Sequence, residues 1–179
     1  MKRLAQQNII LVGPMASGKT TIGQQLARQC KLEFFDSDRE VEKRTGASIS
    51  LIFDLEGEEG FRQREVKMID ELTSNTSIVL ATGGGAVAHE ENRKNLRTRG
   101  FVIYLQASVE QLYQRTHRDR KRPLLQTEDR RARIAALLAE REPMYQEVAD
   151  LIVNTDHRTV HQVVKEICQN QDLPCTPSR

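Results

Sequence analysis

The sequence predicts an α/β fold built on a mainly parallel sheet. Short apolar runs of strand length recur along the chain, and longer segments with helical spacing separate them. No linker or internal repeat divides the 179 residues. The candidate strands are Ile9 to Val12, Phe34 to Phe35, Ile78 to Ala81, Phe101 to Leu105 and Leu151 to Val153. Between them, Lys19 to Cys30 places Ile22, Leu26 and Cys30 on one helical stripe, and Phe61 to Leu72 places Phe61, Met68, Ile69 and Leu72 near one face. Residues 127 to 149 read as a long charged helix carrying Ile134, Leu137, Leu138 and Tyr145. Residues 159 to 168 repeat the pattern with Val160, Val163, Val164 and Ile167. One domain is expected over residues 1–171, with an irregular, charge-rich segment near 117–127. A flexible tail is expected over 172–179, where Pro174 and Pro177 stop the last helix.

Composition narrows the function. Hydrophobic residues make up 38% and charged residues 29%, a globular balance with enough chain for one core. Trp is absent, aromatics are 4% and the net charge is +2, which argues against a nucleic-acid binder that stacks bases. Cys30, Cys168 and Cys175 are odd in number and widely spaced. The expectation is reduced thiols in a cytoplasmic protein rather than a disulfide or zinc framework. No stretch is long and apolar enough to span a membrane, and the run before Gly13 is too short for a signal segment. His89, His117, His157 and His161 form no metal set, and the i, i+4 pair His157 and His161 is expected to face solvent.

The strongest local signal is Gly13-Pro14-Met15-Ala16-Ser17-Gly18-Lys19-Thr20, which fits G-x-x-x-x-G-K-[ST] between an apolar strand and an amphipathic helix. Such a loop turns consecutive amides and a helix N-terminus toward phosphate oxygens. Lys19 can reach the β- and γ-phosphates, and the Thr20 hydroxyl can ligate Mg²⁺, with Thr21 following at the same helix start. Nucleotide binding follows; the acceptor does not, because switches, motors and kinases share the motif. A base-reading N-K-x-D segment is missing, and the length suits a compact kinase.

Four further segments bear on the acceptor and a fifth on the nucleotide. Asp36 and Asp38, at i and i+2, leave the end of the second strand on one side, where open α/β sheets hold ligands. One could hold a metal through water and the other take a hydroxyl proton; the plain alternative is that Asp38 caps the helix starting near Arg39. Gly83, Gly84 and Gly85 end the third strand and allow close backbone approach, or make a flexible turn. Arg62 could fork onto a carboxylate or form a surface pair with Glu65, and Arg141 alone reads as a solvated charge. The cluster Arg115, Arg118, Arg120, Lys121 and Arg122 fits a mobile lid over ATP better than a nucleic-acid patch.

In order, G-P-M-A-S-G-K-T, D-S-D, G-F-R, T-G-G-G, K-R-P-L-L and E-R-x-P-x-Y resemble the shikimate kinase family from about Asn8 to about Gln169. The resemblance implies a three-layer α/β/α P-loop kinase fold with a five-stranded parallel sheet, and transfer of the γ-phosphoryl group of ATP to the 3-hydroxyl of shikimate with Mg²⁺. It implies that Asp36 holds the metal through water, Asp38 binds the hydroxyls and acts as base, and Arg62 and Arg141 hold the carboxylate. Gly83 to Gly85 would approach the substrate, with Gly84 the expected amide donor. Arg122 would reach the γ-phosphate, while Arg115 and, less strongly, Arg158 would border the adenine. A monomer is the family expectation. Gluconate and nucleoside monophosphate kinases of similar fold are the nearest rivals, followed by a non-catalytic nucleotide-binding regulator. One departure is Ala16, where many members carry glycine; little loss is expected if it keeps negative φ.

Overall fold

The computed structural model describes residues 7–117 and 123–174. Five parallel strands form one sheet in the order β2-β3-β1-β4-β5. They are β1 (Asn8–Val12), β2 (Glu33–Asp36), β3 (Ile78–Ala81), β4 (Gly100–Gln106) and β5 (Leu151–Asn154). Each contains one of the five apolar runs and extends it by at most a few residues. The helices are α1 (Lys19–Cys30), α2 (Ser37–Thr45), α3 (Ile49–Thr73), α4 (Glu90–Arg99), α5 (Val109–Thr116), α6 (Arg130–Val148) and α7 (Val160–Gln169).

Side-chain alternation along the strands makes the three layers. Ile10, Val12, Leu80, Val102 and Tyr104 face α3, α4 and α6 with Phe61, Ile69, Leu96 and Tyr145. Ile9, Leu11, Val79, Ile103 and Leu105 face α1 and α7 with Ile22, Leu26, Val163 and Ile167. A third, small cluster of Ala107, Leu112, Leu125 and Ile134 supports Met15 and Ala16 from beneath. The buried Asn8 side chain ties the start of the sheet together: its amide donates to the carbonyls of Thr73, Asn75 and Arg99, and its oxygen accepts from the Ile78 amide.

Three helices were not expected from the apolar spacing. The buried face of α4 is Asn92, Asn95 and Leu96, so it carries almost no hydrophobic period. The helices α2 and α5 are nine and eight residues long and each buries few apolar side chains. The segment Phe61 to Leu72 is only the second part of α3, which begins at Ile49 behind a Ser48 cap and is interrupted at Gly57 (φ 71°, ψ 179°). Pro123–Leu125 form a 3-10 turn whose Leu125 is fully buried, and Leu173 packs into the α1/α7 core layer. Cys168 is a free thiol, as expected; Cys30 is disulfide-bonded, which corrects the expectation of reduced thiols throughout.

Candidate active site

The chain runs from β1 through α1 to β2 on one side, and from β3 through α4 to β4 on the other. The crevice at the carboxyl ends of β1 and β3 is therefore the switch point of the sheet, where such folds hold ligands. Everything predicted from the phosphate loop and the glycine run converges there.

The loop after β1 is built largely from backbone. Lys19 is buried, and its Nζ donates to the carbonyls of Gly13 and Pro14, both at 2.7 Å, which closes the loop on itself. Thr20 begins α1 and donates its hydroxyl to Asp36 Oδ2 at 2.7 Å. The two oxygens stand together at the mouth of a cleft also lined by Lys19, Thr21 and Gly84. A hydroxyl and a carboxylate are the oxygen donors a magnesium ion takes, so the pair fits the expected metal. Asp36 also caps α2, its Oδ1 accepting from the amides of Asp38 and Arg39 at 3.1 and 3.2 Å. The alternative that Asp38 is the helix cap is thereby corrected: the cap is Asp36, and the Asp38 side chain is left for other work.

Ala16 departs from expectation. Its φ is 62°, in the left-handed region where a Cβ is unfavourable, rather than negative. Arg115 donates to its carbonyl at 3.1 Å, and the third core cluster packs against it. The same guanidinium bonds Thr155, to Oγ1 at 3.3 Å and to the carbonyl at 3.0 Å. Ser17, Gly18, Thr21, Thr155 and Arg158 join Ala16 and Arg115 around a second cleft beside the loop. Arg158 lines that cleft while bonding the Asn154 and Gln162 carbonyls and Glu166. Thr155 was not anticipated; its only sequence signal is its place just after β5.

On the other side of Gly84 lies a third cleft, lined by Asp38, Arg62, Glu65, Gly83, Gly85 and Arg141, with Ile49, Phe53 and Phe61 as an apolar wall. Arg62 is not on the surface. Its guanidinium ion-pairs with Glu65 at 2.7 Å, and Glu65 is 1% exposed. Arg141 is buried rather than solvated, at 5% exposure. The glycines are needed for close approach: a Cβ at Gly83 would stand 2.6 Å from Glu65 Oε1 and 2.7 Å from Asp38 Oδ1, and one at Gly85 would collide with the Arg62 guanidinium. The Gly83 amide is held by Ser37 Oγ at 3.0 Å, a contact no motif announced.

Asp38 lies between the phosphate cleft and this third cleft and lines both. The residue is half-buried, but its Oδ1 is sealed from solvent and has no hydrogen-bond partner among the described residues. Burial, then the charges of Glu65 and Asp36, push its carboxyl up from 3.8 to about 7, against the opposing charges of Lys19 and Arg62. Burial likewise raises Glu65, which Arg62 opposes. Glu65 was expected only as a surface partner; its i+3 spacing from Arg62 was visible, its depth was not. Arg122, expected over the γ-phosphate, lies outside the described residues.

Comparison with known proteins gives the family and the fold. The family model described as shikimate kinase matches residues 15–171. A shikimate kinase of Legionella pneumophila (strain Corby) is 59% identical over 161 residues, covering 90% of this chain and 92% of its own. Shikimate kinase 1 of Pectobacterium atrosepticum is 53% identical over 163 residues, covering 90% and 94%. Among solved structures, a shikimate kinase from Acinetobacter baumannii in complex with shikimate superposes with a TM-score of 0.89 at 48% identity, covering 91% of each chain. A gluconokinase from Sinorhizobium meliloti shares the fold alone, with a TM-score of 0.53 at 15% identity over 89% and 88%.

Proposed function

The chain belongs to the shikimate kinase family and catalyses ATP-dependent phosphorylation of shikimate, and from that premise we propose how its residues divide the reaction. The observation that carries the proposal is the position of Asp38, a half-buried carboxylate shared by the phosphate cleft and the cleft lined by Arg62 and Arg141.

Shikimate is a carboxylate with three hydroxyls. Arg62 and Arg141 hold the carboxylate, and the apolar wall of Ile49, Phe53 and Phe61 covers the ring. Asp38 and the amides of the Gly83–Gly85 turn hold the hydroxyl end. Lys19 and the loop amides hold the phosphates of ATP, and the adenine lies between Arg115 and Arg158. Thr20 would hold Mg²⁺ directly and Asp36 through water, and the bound ion would supply positive charge to the phosphates of ATP. Arg122 supplies a further positive charge to the transferring group. Ionised Asp38 takes the proton of the 3-hydroxyl as its oxygen forms a bond to the γ-phosphorus. The bond from that phosphorus to the ADP oxygen breaks in line, leaving shikimate 3-phosphate and ADP. We further propose a monomeric cytoplasmic enzyme that binds no nucleic acid.

The test is ADP release from Mg-ATP with shikimate, gluconate, CMP or AMP as acceptor. Release only with shikimate upholds the reading. Release with another acceptor overturns the roles of Asp38, Arg62 and Arg141. ATP binding without release to any acceptor overturns catalysis itself.

A further inference from the structure

Tyr145 closes the E-R-x-P-x-Y motif, and none of the roles above uses it. It stands one turn after Arg141 on α6, so the two side chains leave the same face of the helix. Its ring is 1% exposed and stacks on Tyr104, with centroids 5.0 Å apart and planes at 27°. A phenylalanine would fill that space equally well, so the buried hydroxyl needs its own explanation. It donates to the Gly84 carbonyl at 2.5 Å. Arg141 and Tyr145 border one cavity from the same face of α6, and the Arg141 charge opposes the upward push that burial gives the Tyr145 phenol.

Three successive glycines leave their peptide planes freer than any other tripeptide would. A planar trans peptide pinned at its carbonyl aims its amide the opposite way. The Gly84 carbonyl is drawn toward α6 by Tyr145, which turns the Gly85 amide away from α6. On its other side Gly84 is packed against the phosphate loop, where a Cβ would lie 3.1 Å from the Met15 amide nitrogen.

We propose that Tyr145 is a positioning residue for the acceptor: its hydroxyl sets the Gly84–Gly85 peptide plane and the lie of Arg141, so that turn amides and arginine meet shikimate as one rigid unit. This rests on the reading that the turn and Arg141 contact the acceptor. Tyr145 also borders Pro14 and Met15 of the phosphate loop, but its hydroxyl bonds the glycine turn, so the larger effect is expected on the acceptor.

The experiment combines Tyr145→Phe kinetics with NMR on the wild-type enzyme. The variant is expected to raise the KM for shikimate about tenfold and lower kcat less, with the KM for ATP within about twofold. A lower Tm with unchanged KM for shikimate means a merely structural hydroxyl and overturns the proposal. Should the variant not fold, ¹³Cζ-tyrosine labelling of the wild type decides: the Tyr145 resonance shifts on adding shikimate, and an unmoved resonance overturns the proposal. ¹⁵N-glycine labelling separates the two levels. Gly84 and Gly85 amides that ignore shikimate sink the reading of the turn and this proposal with it. Amides that respond, alongside an unaltered Tyr145→Phe, sink the proposal alone.

Discussion

The nucleotide half and the acceptor half of the site are built from different material. Around the phosphate loop the side chains are bonded within the protein: Lys19 to the Gly13 and Pro14 carbonyls, Thr20 to Asp36, and Arg115 to Ala16 and Thr155. The buried Ser17 hydroxyl is the exception. Around the acceptor cleft, Asp38 Oδ1, Glu65 Oε1 and Arg141 Nε are all buried without a hydrogen-bond partner among the described residues. Buried polar atoms left this way are costly to the fold. The first half is a backbone cradle that any nucleotide enzyme could use; the second is charged side chains held at raised energy, where the proposed reading has the substrate chosen.

The contrast breaks most sharply at Asp38. Asp38→Asn is expected to lower kcat by about 10²- to 10⁴-fold, the usual contribution of a positioned base, with Mg-ATP affinity nearly intact by titration calorimetry. The same change is expected to stabilise the protein. The folded-state pKa of about 7 lies above the ordinary 3.8, so the fold binds this proton more tightly than the unfolded chain, and stability is lost as pH rises from about 4 to about 7. The Tm gain of the variant should therefore be near zero at pH 4 and largest above pH 7, by at least ~2 °C. A gain independent of pH would refute the buried charge as its cause.

Arg62→Ala is the next largest effect: the KM for shikimate rises by about 10- to 100-fold and the KM for ATP stays close to normal. Equal changes in both would erase the division between the halves. Glu65→Gln sharpens it. Since ionised Asp38 is the active form, kcat/KM for shikimate falls as pH drops through about 7. Removing the Glu65 charge lowers that pKa, so the acidic limb of the kcat/KM profile moves down by about half to one unit. A limb that stays in place would remove Glu65 from the control of Asp38. The smallest effect belongs to the cradle: Ala16→Gly relieves a left-handed Cβ and should raise Tm by about 2–4 °C in differential scanning calorimetry. No gain would mean that packing of the methyl offsets the strain.

The same division governed what the sequence revealed. The phosphate loop is local, and its motif, strand and helix were readable together; α1 begins and ends where its stripe does, at Lys19 and Cys30. Even there the φ of Ala16 was not readable, and the contacts around it, from Arg115 and a core cluster, are distant in sequence. The acceptor side draws on four separated segments, and each residue alone looked ordinary. Arg62 and Glu65 read as a surface pair because spacing gives adjacency on a helix but not the depth of that helix. Asp36 and Asp38 could not be told apart until α2 showed which one caps it. The resemblance to a family ordered these segments before any geometry did.

The interruption of α3 at Gly57 has a consequence for how new specificities could arise. Ahead of the break, Ile49 and Phe53 supply the apolar wall of the acceptor cleft; behind it, Arg62 and Glu65 carry charge and Phe61, Met68 and Ile69 anchor the core. A Cβ at Gly57 would meet no atom within 4 Å, so the direction a side chain would take there is open. The wall spans the break, because Phe61 behind it packs on Phe53 ahead of it, with ring centroids 5.1 Å apart. Variation at Ile49 and Phe53 can reshape the cleft for a different ring while Arg62 and Glu65 are inherited unchanged.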